Sequence, residues 1–181
     1  MSDSTPTIGE PQDEFSLSAR ADRSLRELID AADFDHVHFF IDEGVDGGDI
    51  AIDPGDDDTN FALLPYHHPD KAIDDDTFEH VEEAGYQQAN LRDLLNFAIE
   101  RPEIQREYNI VALGTLRTRK VYEERQGESI WTQKERDRSI CQWVMGLSHL
   151  KGDRTLVPVE IYLDEILRHD ALLLVRKPTS E

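Results

Sequence analysis

The sequence predicts an α+β fold, a single compact domain with a mixed or antiparallel sheet and about three to four helices. Two observations lead to this prediction. Apolar residues make up 38% of the 181 residues and fall into clusters, which is enough for one modest core. The clusters change irregularly between strand-like and helix-like spacing, without the regular alternation of a parallel α/β sheet. We therefore expect one domain over residues 20–181.

Residues 1–19 predict a disordered acidic tail, because they are rich in Ser, Thr, Pro and acids. The next segment, residues 21–32, predicts a short amphipathic helix that Asp22 caps. Its apolar residues recur at helical spacing, at Leu25, Leu28, Ile29 and Ala32.

Three runs in the middle of the first half predict strands. Residues 36–43 are rich in β-branched and aromatic side chains, and a Gly-rich turn joins them to residues 49–53, so we expect a hairpin there. Residues 60–66 form a third apolar run, which contains Pro65 near its end.

The remainder of the chain combines both patterns. Helical spacing predicts one or two helical turns over residues 75–84 and helices over residues 90–100 and 133–150. Pro102 either kinks the helix over 90–100 or opens a second short helix over 102–108. Runs of strand-forming residues predict strands over 110–118, 155–163 and 171–176, and a hairpin over 121–132. Cys141, the only cysteine, falls in the last predicted helix, where we expect it to pack rather than react.

Two segments carry a resemblance to a known type of protein. LLNFAIERPEIQREYNIVALG, residues 94–114, leads from a helix into an apolar run, and LLLVRK, residues 172–177, lies close to the end of the chain. Together they resemble a small C-terminal module of uncharacterised bacterial proteins. The resemblance implies a strand at the end of each segment, and it implies no activity.

The charge of the chain is concentrated in its first half. Residues 1–100 contain 26 acids and 5 bases, a net charge of −21, whereas residues 101–181 contain 13 acids and 14 bases, a net charge of +1. The acids are mostly Asp and the bases mostly Arg, a composition typical of salt adaptation. The alternative is that the acidic half mimics nucleic-acid phosphates and occupies the basic groove of a DNA-binding protein.

Histidines provide the candidate metal ligands. His36 and His38 alternate along a predicted strand, a spacing that lets two imidazoles reach one metal ion. His67 and His68 follow the third predicted strand, and Asp70 or His80 would complete a set of three ligands. A divalent metal ion held in this way would make the protein a metal-dependent enzyme.

An acidic loop provides a second candidate site. The segment DPGDDD offers Asp53, Asp56, Asp57 and Asp58 for loose cation binding. The preceding acids do not complete an EF-hand, because Asp53 stands where that motif needs a bidentate Glu.

A basic segment provides the candidate interaction surface. Arg117, Arg119 and Lys120 precede Trp131, a combination of cations and an aromatic ring that suits phosphates or acids. A net charge of −20 disfavours direct nucleic-acid binding, so we expect these cations to pair with acids of the same chain, of a second copy or of a protein partner.

These observations favour a small acidic soluble protein that acts as a non-catalytic macromolecular interaction module. The metal-dependent enzyme and the nucleic-acid mimic remain the alternatives. The sequence has neither a signal-peptide pattern nor an apolar stretch of about 20 residues, so we expect a cytoplasmic protein without a membrane segment.

If the acids are a salt adaptation, the melting temperature rises by several degrees between about 0.05 M and 2 M KCl, because screening relieves repulsion within residues 1–100. Thermal unfolding followed by circular dichroism checks this. A melting temperature that stays flat over the same range contradicts it.

Overall fold

The computed structural model describes residues 7–48, 50, 59–67, 73, 75–120, 140–150, 152–161 and 171–178. The strands in these residues are β1 (Thr7–Ile8), β2 (Asp13–Leu17), β3 (His36–Val37), β4 (Thr59–His67), β5 (Gln87–Gln88), β6 (Asn109–Lys120), β7 (Ile140–Leu150), β8 (Asp153–Glu160) and β9 (Ala171–Arg176). The helices are α1 (Leu25–Ala32), α2 (Phe39–Asp46), α3 (Asp75–Glu83), α4 (Leu91–Glu100) and α5 (Pro102–Gln105).

The strands form one mixed sheet in the order β1-β4-β9-β6-β7-β8-β3. β2 pairs with β4 next to β1, and β5 pairs with β9. β6 runs parallel to β9 and β3 runs parallel to β8, whereas the other pairs are antiparallel. The α+β fold class with a mixed sheet is therefore confirmed.

Two apolar cores lie on the two faces of the sheet. Along β9, Leu172 and Leu174 belong to the core that contains α1 and α4, whereas Leu173 and Val175 belong to the core that contains α3. A strand buried on both faces reads as a continuous apolar run. This explains why ALLLVR is recognisable as a strand although its hydrophobicity does not alternate.

Side-chain caps fix where the two best-defined helices begin. Ser24 accepts a hydrogen bond from the Glu27 amide while the Glu27 carboxylate accepts one from the Ser24 amide, so Ser24, and not the expected Asp22, caps α1. That backbone hydrogen bond lowers the pKa of Glu27. Asn90 and Asp93 make the same reciprocal pair at the start of α4.

Asp93 also connects α4 to the central sheet. Its two carboxylate oxygens accept hydrogen bonds from Nε and Nη2 of Arg176 at 2.8 and 2.9 Å, and the Asp93 side chain is almost fully buried. Bidentate pairs of this kind fix geometry as well as contribute energy. The end of β9 is therefore held against the first turn of α4.

Arg154 on β8 joins several elements through one buried guanidinium. Its Nη1 donates to the carbonyls of Ala32 and Asp33 at 2.8 and 3.2 Å, which belong to the end of α1. Its Nη2 donates to the carbonyl of Ala98 in α4 at 2.8 Å, and its Nε donates to Gln105 Oε1 at 3.1 Å. A cation at a helix C-terminus satisfies carbonyls that the helix leaves unpaired.

The environment of Arg154 acts on its charge in two directions. Burial lowers the pKa of Arg154, and the neighbouring charge of Arg106 lowers it further, whereas the carboxylates of Asp33 and Asp35 oppose the shift. The guanidinium nevertheless stays protonated at neutral pH, because its ordinary pKa is far higher. The helix ends therefore meet a permanent positive charge.

The disordered tail predicted over residues 1–19 is wrong at Thr7–Ile8 and Asp13–Leu17, which form β1 and β2. β2 pairs along its whole length with β4, from Asp13 opposite Leu63 to Leu17 opposite Thr59. Phe15 and Leu17 are buried against the first core, and Phe15 lies 5.5 Å from the ring of Phe97. The polar and apolar residues of DEFSL alternate, which is typical of a strand with one buried face, whereas the prediction of disorder rests on composition alone.

The helix predicted over residues 133–150 is also wrong within the described residues, because residues 140–150 form β7. This strand lies between β6 and β8, so consecutive residues from Val144 to Leu147 are all buried. Apolar residues on both faces of a central strand can match a helical spacing by coincidence. A Cβ on Gly146 would lie 2.7 Å from Val159 Cγ2, which shows how closely β7 and its surroundings pack.

The strand predicted over residues 36–43 is confirmed only at His36 and Val37, and it is wrong from Phe39 onward, where the chain is helical. Only His36 and Val37 pair with β8, and α2 begins at Phe39. The carbonyls of Arg154 and Leu156 accept hydrogen bonds from the amides of Asp35 and His38. The next residue of β8 that faces this edge strand is Pro158, which has no amide hydrogen to donate. Pro158 therefore cannot donate a further backbone hydrogen bond to this edge strand.

The other strand and helix predictions agree with the structure within the described residues. They are confirmed as α1, β4, α3, α4, α5, β6, β8 and β9, with bounds that differ by a few residues. The strand at 49–53 and the hairpin at 121–132 fall on segments outside the described residues, apart from Ile50.

Replacing Arg154 with Lys lowers the free energy of unfolding by about 2–4 kcal/mol, because one ammonium cannot reach acceptors on α1, α4 and α5 together. Urea unfolding of the full chain measures the loss. Arg106→Lys, at an exposed position, is the control and changes the free energy by no more than about 0.5 kcal/mol. Equal losses in the two variants would contradict the anchoring role of Arg154.

Candidate interaction surface

The candidate site is built on α2, which the sequence positions through its cap and its inner face. His38 precedes the helix in an extended conformation, and its Nδ1 accepts a hydrogen bond from the Phe40 amide at 3.3 Å. Ile41 is fully buried, and Gly44 leaves room for Ile50, whose Cδ1 would lie 2.7 Å from an added Cβ. These contacts pack the inner side of α2 against the rest of the protein.

Four neighbouring rings form an aromatic surface on the outer side of α2. They belong to His38, Phe39, Phe40 and Trp143. The rings of Phe40 and Trp143 stack at 5.7 Å between centroids with an interplanar angle of 10°. The Phe39 ring lies 4.1 Å from that of Phe40 and 4.8 Å from that of His38. One contiguous set of four rings therefore crosses from α2 to the sheet.

Phe39 is the exposed member of this aromatic surface. Its relative exposure is 55%, and among the described residues it is the one large apolar side chain classed as exposed. A solitary exposed apolar residue is ordinary, whereas one that continues a cluster of partly buried rings marks a surface suited to another molecule. The aromatic surface is consequently the strongest candidate binding feature.

The three acids of α2 differ in whether they have an ion-pair partner. Arg26 of α1 binds Asp42 Oδ1 at 2.6 Å and Asp46 Oδ1 at 2.6 Å, and the hydrogen bond to Asp42 raises the pKa of Arg26. Glu43 lies four residues after Phe39, which places both on one side of the helix. Glu43 is exposed and has no ion pair with another described residue.

The structure places the backbone of the expected basic surface beside β7. Arg117 lies opposite Trp143, Arg119 opposite Cys141 and Lys120 opposite Ile140. The side chains of these three cations, and the whole of Trp131, lie outside the described residues. The interaction surface expected from the sequence therefore stays a prediction, although Arg117 lies in register with a member of the aromatic surface.

The structure separates the histidines that were expected to share a metal ion. His36 lies on β3 and His67 on β4, with four other strands between them, about 24 Å along the sheet. His38 does not share a strand with His36, because it caps α2. His80 lies on α3, where its Nδ1 approaches the Asp76 carbonyl at 2.6 Å. His36 and His67 therefore cannot bind one metal ion.

Metal ligands do not converge in the part of the chain that the structure describes. No group of three or more His, Cys, Asp or Glu side chains in those residues is arranged to hold a metal ion. His68, Asp70 and the acidic loop with Asp53, Asp56, Asp57 and Asp58 lie outside those residues, so the cation-binding loop stays a prediction.

The strand predicted over residues 36–43 includes Phe39 and Phe40, so the sequence prediction does not contain the aromatic surface. Their signal was present, since Ile41 and Val45 follow at a spacing of four while Phe39 and Glu43 occupy the opposite positions. Trp143 could not be added from the sequence, because its contact with Phe40 spans more than 100 residues of chain.

Comparisons of the chain with known protein families, with curated protein sequences and with solved structures found no match. Among the residues that the structure describes, there is no helix with the length and apolar content needed to cross a membrane.

Replacing His38 with Ala destabilises the protein by about 1 kcal/mol, because α2 loses the acceptor for the Phe40 amide. His38→Asn retains an acceptor and stays within about 0.5 kcal/mol of the original protein. Urea unfolding of both variants checks this difference. Equal stability of the Ala and Asn variants would show that the imidazole does not act as the cap.

Proposed function

We propose that this protein is a non-catalytic interaction module that binds another protein through its aromatic surface. The observation that carries the proposal is the exposed ring of Phe39, continuous with the stacked rings of Phe40 and Trp143. Aromatic residues are enriched at the centres of protein interfaces, where they supply large contact area at small conformational cost.

The scaffold supports such a role because it presents these rings on packed elements. α2 is held by the buried Ile41, by the Gly44–Ile50 contact and by the Arg26 bridges to α1. Trp143 belongs to a strand that is paired on both sides. A binding site built on such elements loses little conformational entropy when a partner binds.

The acidic composition favours a partner whose binding surface is basic rather than acidic. Residues 1–100 have a net charge of −21, and α2 itself has three acids and no base. Such a field speeds association with basic surfaces and slows association with acidic ones. The basic end of β6 beside Trp143 would then orient the partner rather than anchor it.

Site-specific photo-crosslinking tests the proposal. With p-benzoylphenylalanine at position 39 we expect adducts with a protein when cells that naturally produce the chain are irradiated, because a ring at the interface contacts the partner directly. The same group at position 79, exposed on α3, is the matched control.

Added original protein should compete with the adducts from position 39, whereas added Phe39→Ser protein should not. The proposal fails if position 39 gives no adduct, or if positions 39 and 79 give the same adducts in the same yield.

A further inference from the structure

We propose that the aromatic surface binds an arginine side chain of the partner protein, with the guanidinium stacked on Phe39 and paired with Glu43. This inference rests on the proposed function and specifies the chemistry of the partner. Phe39 and Glu43 lie four residues apart on α2, and both are exposed. Side chains at this spacing are neighbours on a helix surface.

The pair offers the two features that a guanidinium recognises. An aromatic ring face attracts a cation that lies over it, and this attraction increases as water is excluded. A carboxylate beside the ring accepts two parallel N–H groups from the same planar group. The protein already contains the first half of such an arrangement, because the Arg101 guanidinium lies 5.0 Å from the ring centroid of Phe15.

Glu43 is the carboxylate of α2 that remains available for this role. Asp42 and Asp46 are both bound to Arg26, so each of them already has a cationic partner within the chain and their charge is partly offset. Glu43 has no ion pair with another described residue. A cation from a partner can therefore pair with Glu43 without breaking a contact between described residues.

Arginine fits the pair better than lysine for a geometric reason. The guanidinium is planar, so one face can stack on Phe39 while its edge donates to Glu43. An ammonium is a compact and strongly hydrated charge that stacks poorly. A second copy of the chain is disfavoured as the occupant, because two molecules of net charge −20 repel each other.

Peptide binding to the full-length chain tests the inference. The probe is a fluorescein-labelled peptide with two Arg-Trp pairs in a Gly-Ser spacer, and its comparison peptide has Lys-Trp pairs instead. At about 0.15 M salt we expect the Arg peptide to bind about fivefold to tenfold more tightly in fluorescence anisotropy.

The variants separate the site from general attraction to an acidic protein. Phe39→Leu keeps an apolar side chain but removes the ring face, and Glu43→Gln removes the carboxylate. Each should weaken the Arg peptide about fivefold and make it bind like the Lys peptide. Glu79→Gln, which removes one charge from an exposed position on α3, should change affinity by less than about 1.5-fold.

Equal affinity of the Arg and Lys peptides overturns the inference, as does an equal loss in Glu43→Gln and Glu79→Gln. Adducts of position 39 with a second copy also overturn it, because the occupant would then be this chain. If adducts with another protein form at position 39 while the peptides do not differ, the interaction module stands and the arginine specificity falls. If position 39 forms no adduct, the proposed function itself fails.

Discussion

The architecture depends on one buried charge. Arg154 places a guanidinium, only 6% exposed, where the ends of α1 and α4 and Gln105, the last residue of α5, all meet β8. Three helical segments present carbonyl or amide oxygens to this group, and each would be left buried and unsatisfied without it. Arg154 therefore ties the end of α1 to the sheet, and Arg26 links α1 to α2.

The aromatic surface is a consequence of this arrangement. α2 starts at Phe39, one residue after the two-residue β3, and β3 pairs with β8 only at Thr155 and Leu156, before Pro158, which has no amide hydrogen to donate. The early turn into a helix buries Ile41 and leaves Phe39 facing solvent beside Phe40 and Trp143. A longer edge strand would have placed alternate aromatic residues against the sheet instead.

Much of the fold could be predicted from the sequence, because long apolar runs and regular helical spacing report burial directly. Ala171 to Val175 are an example, since this apolar run is buried throughout. The apolar residues of α4 are buried as their helical spacing indicates, but the polar residues Arg92, Asp93 and Asn96 between them are buried as well. β7 was missed because a strand buried on both faces loses its alternation. The role of Arg154 could not be predicted, because its acceptors lie 49 to 122 residues away along the chain.

The most direct test of the central claim is ¹⁹F NMR of the full chain with 4-fluorophenylalanine at all seven Phe positions. A soluble nitroxide broadens the signals of exposed rings. We expect strong broadening at Phe39 and little at Phe15, Phe61 and Phe97, which are buried. A Phe39 signal as protected as these three would mean that the ring belongs to the core and that the aromatic surface is not available to a partner.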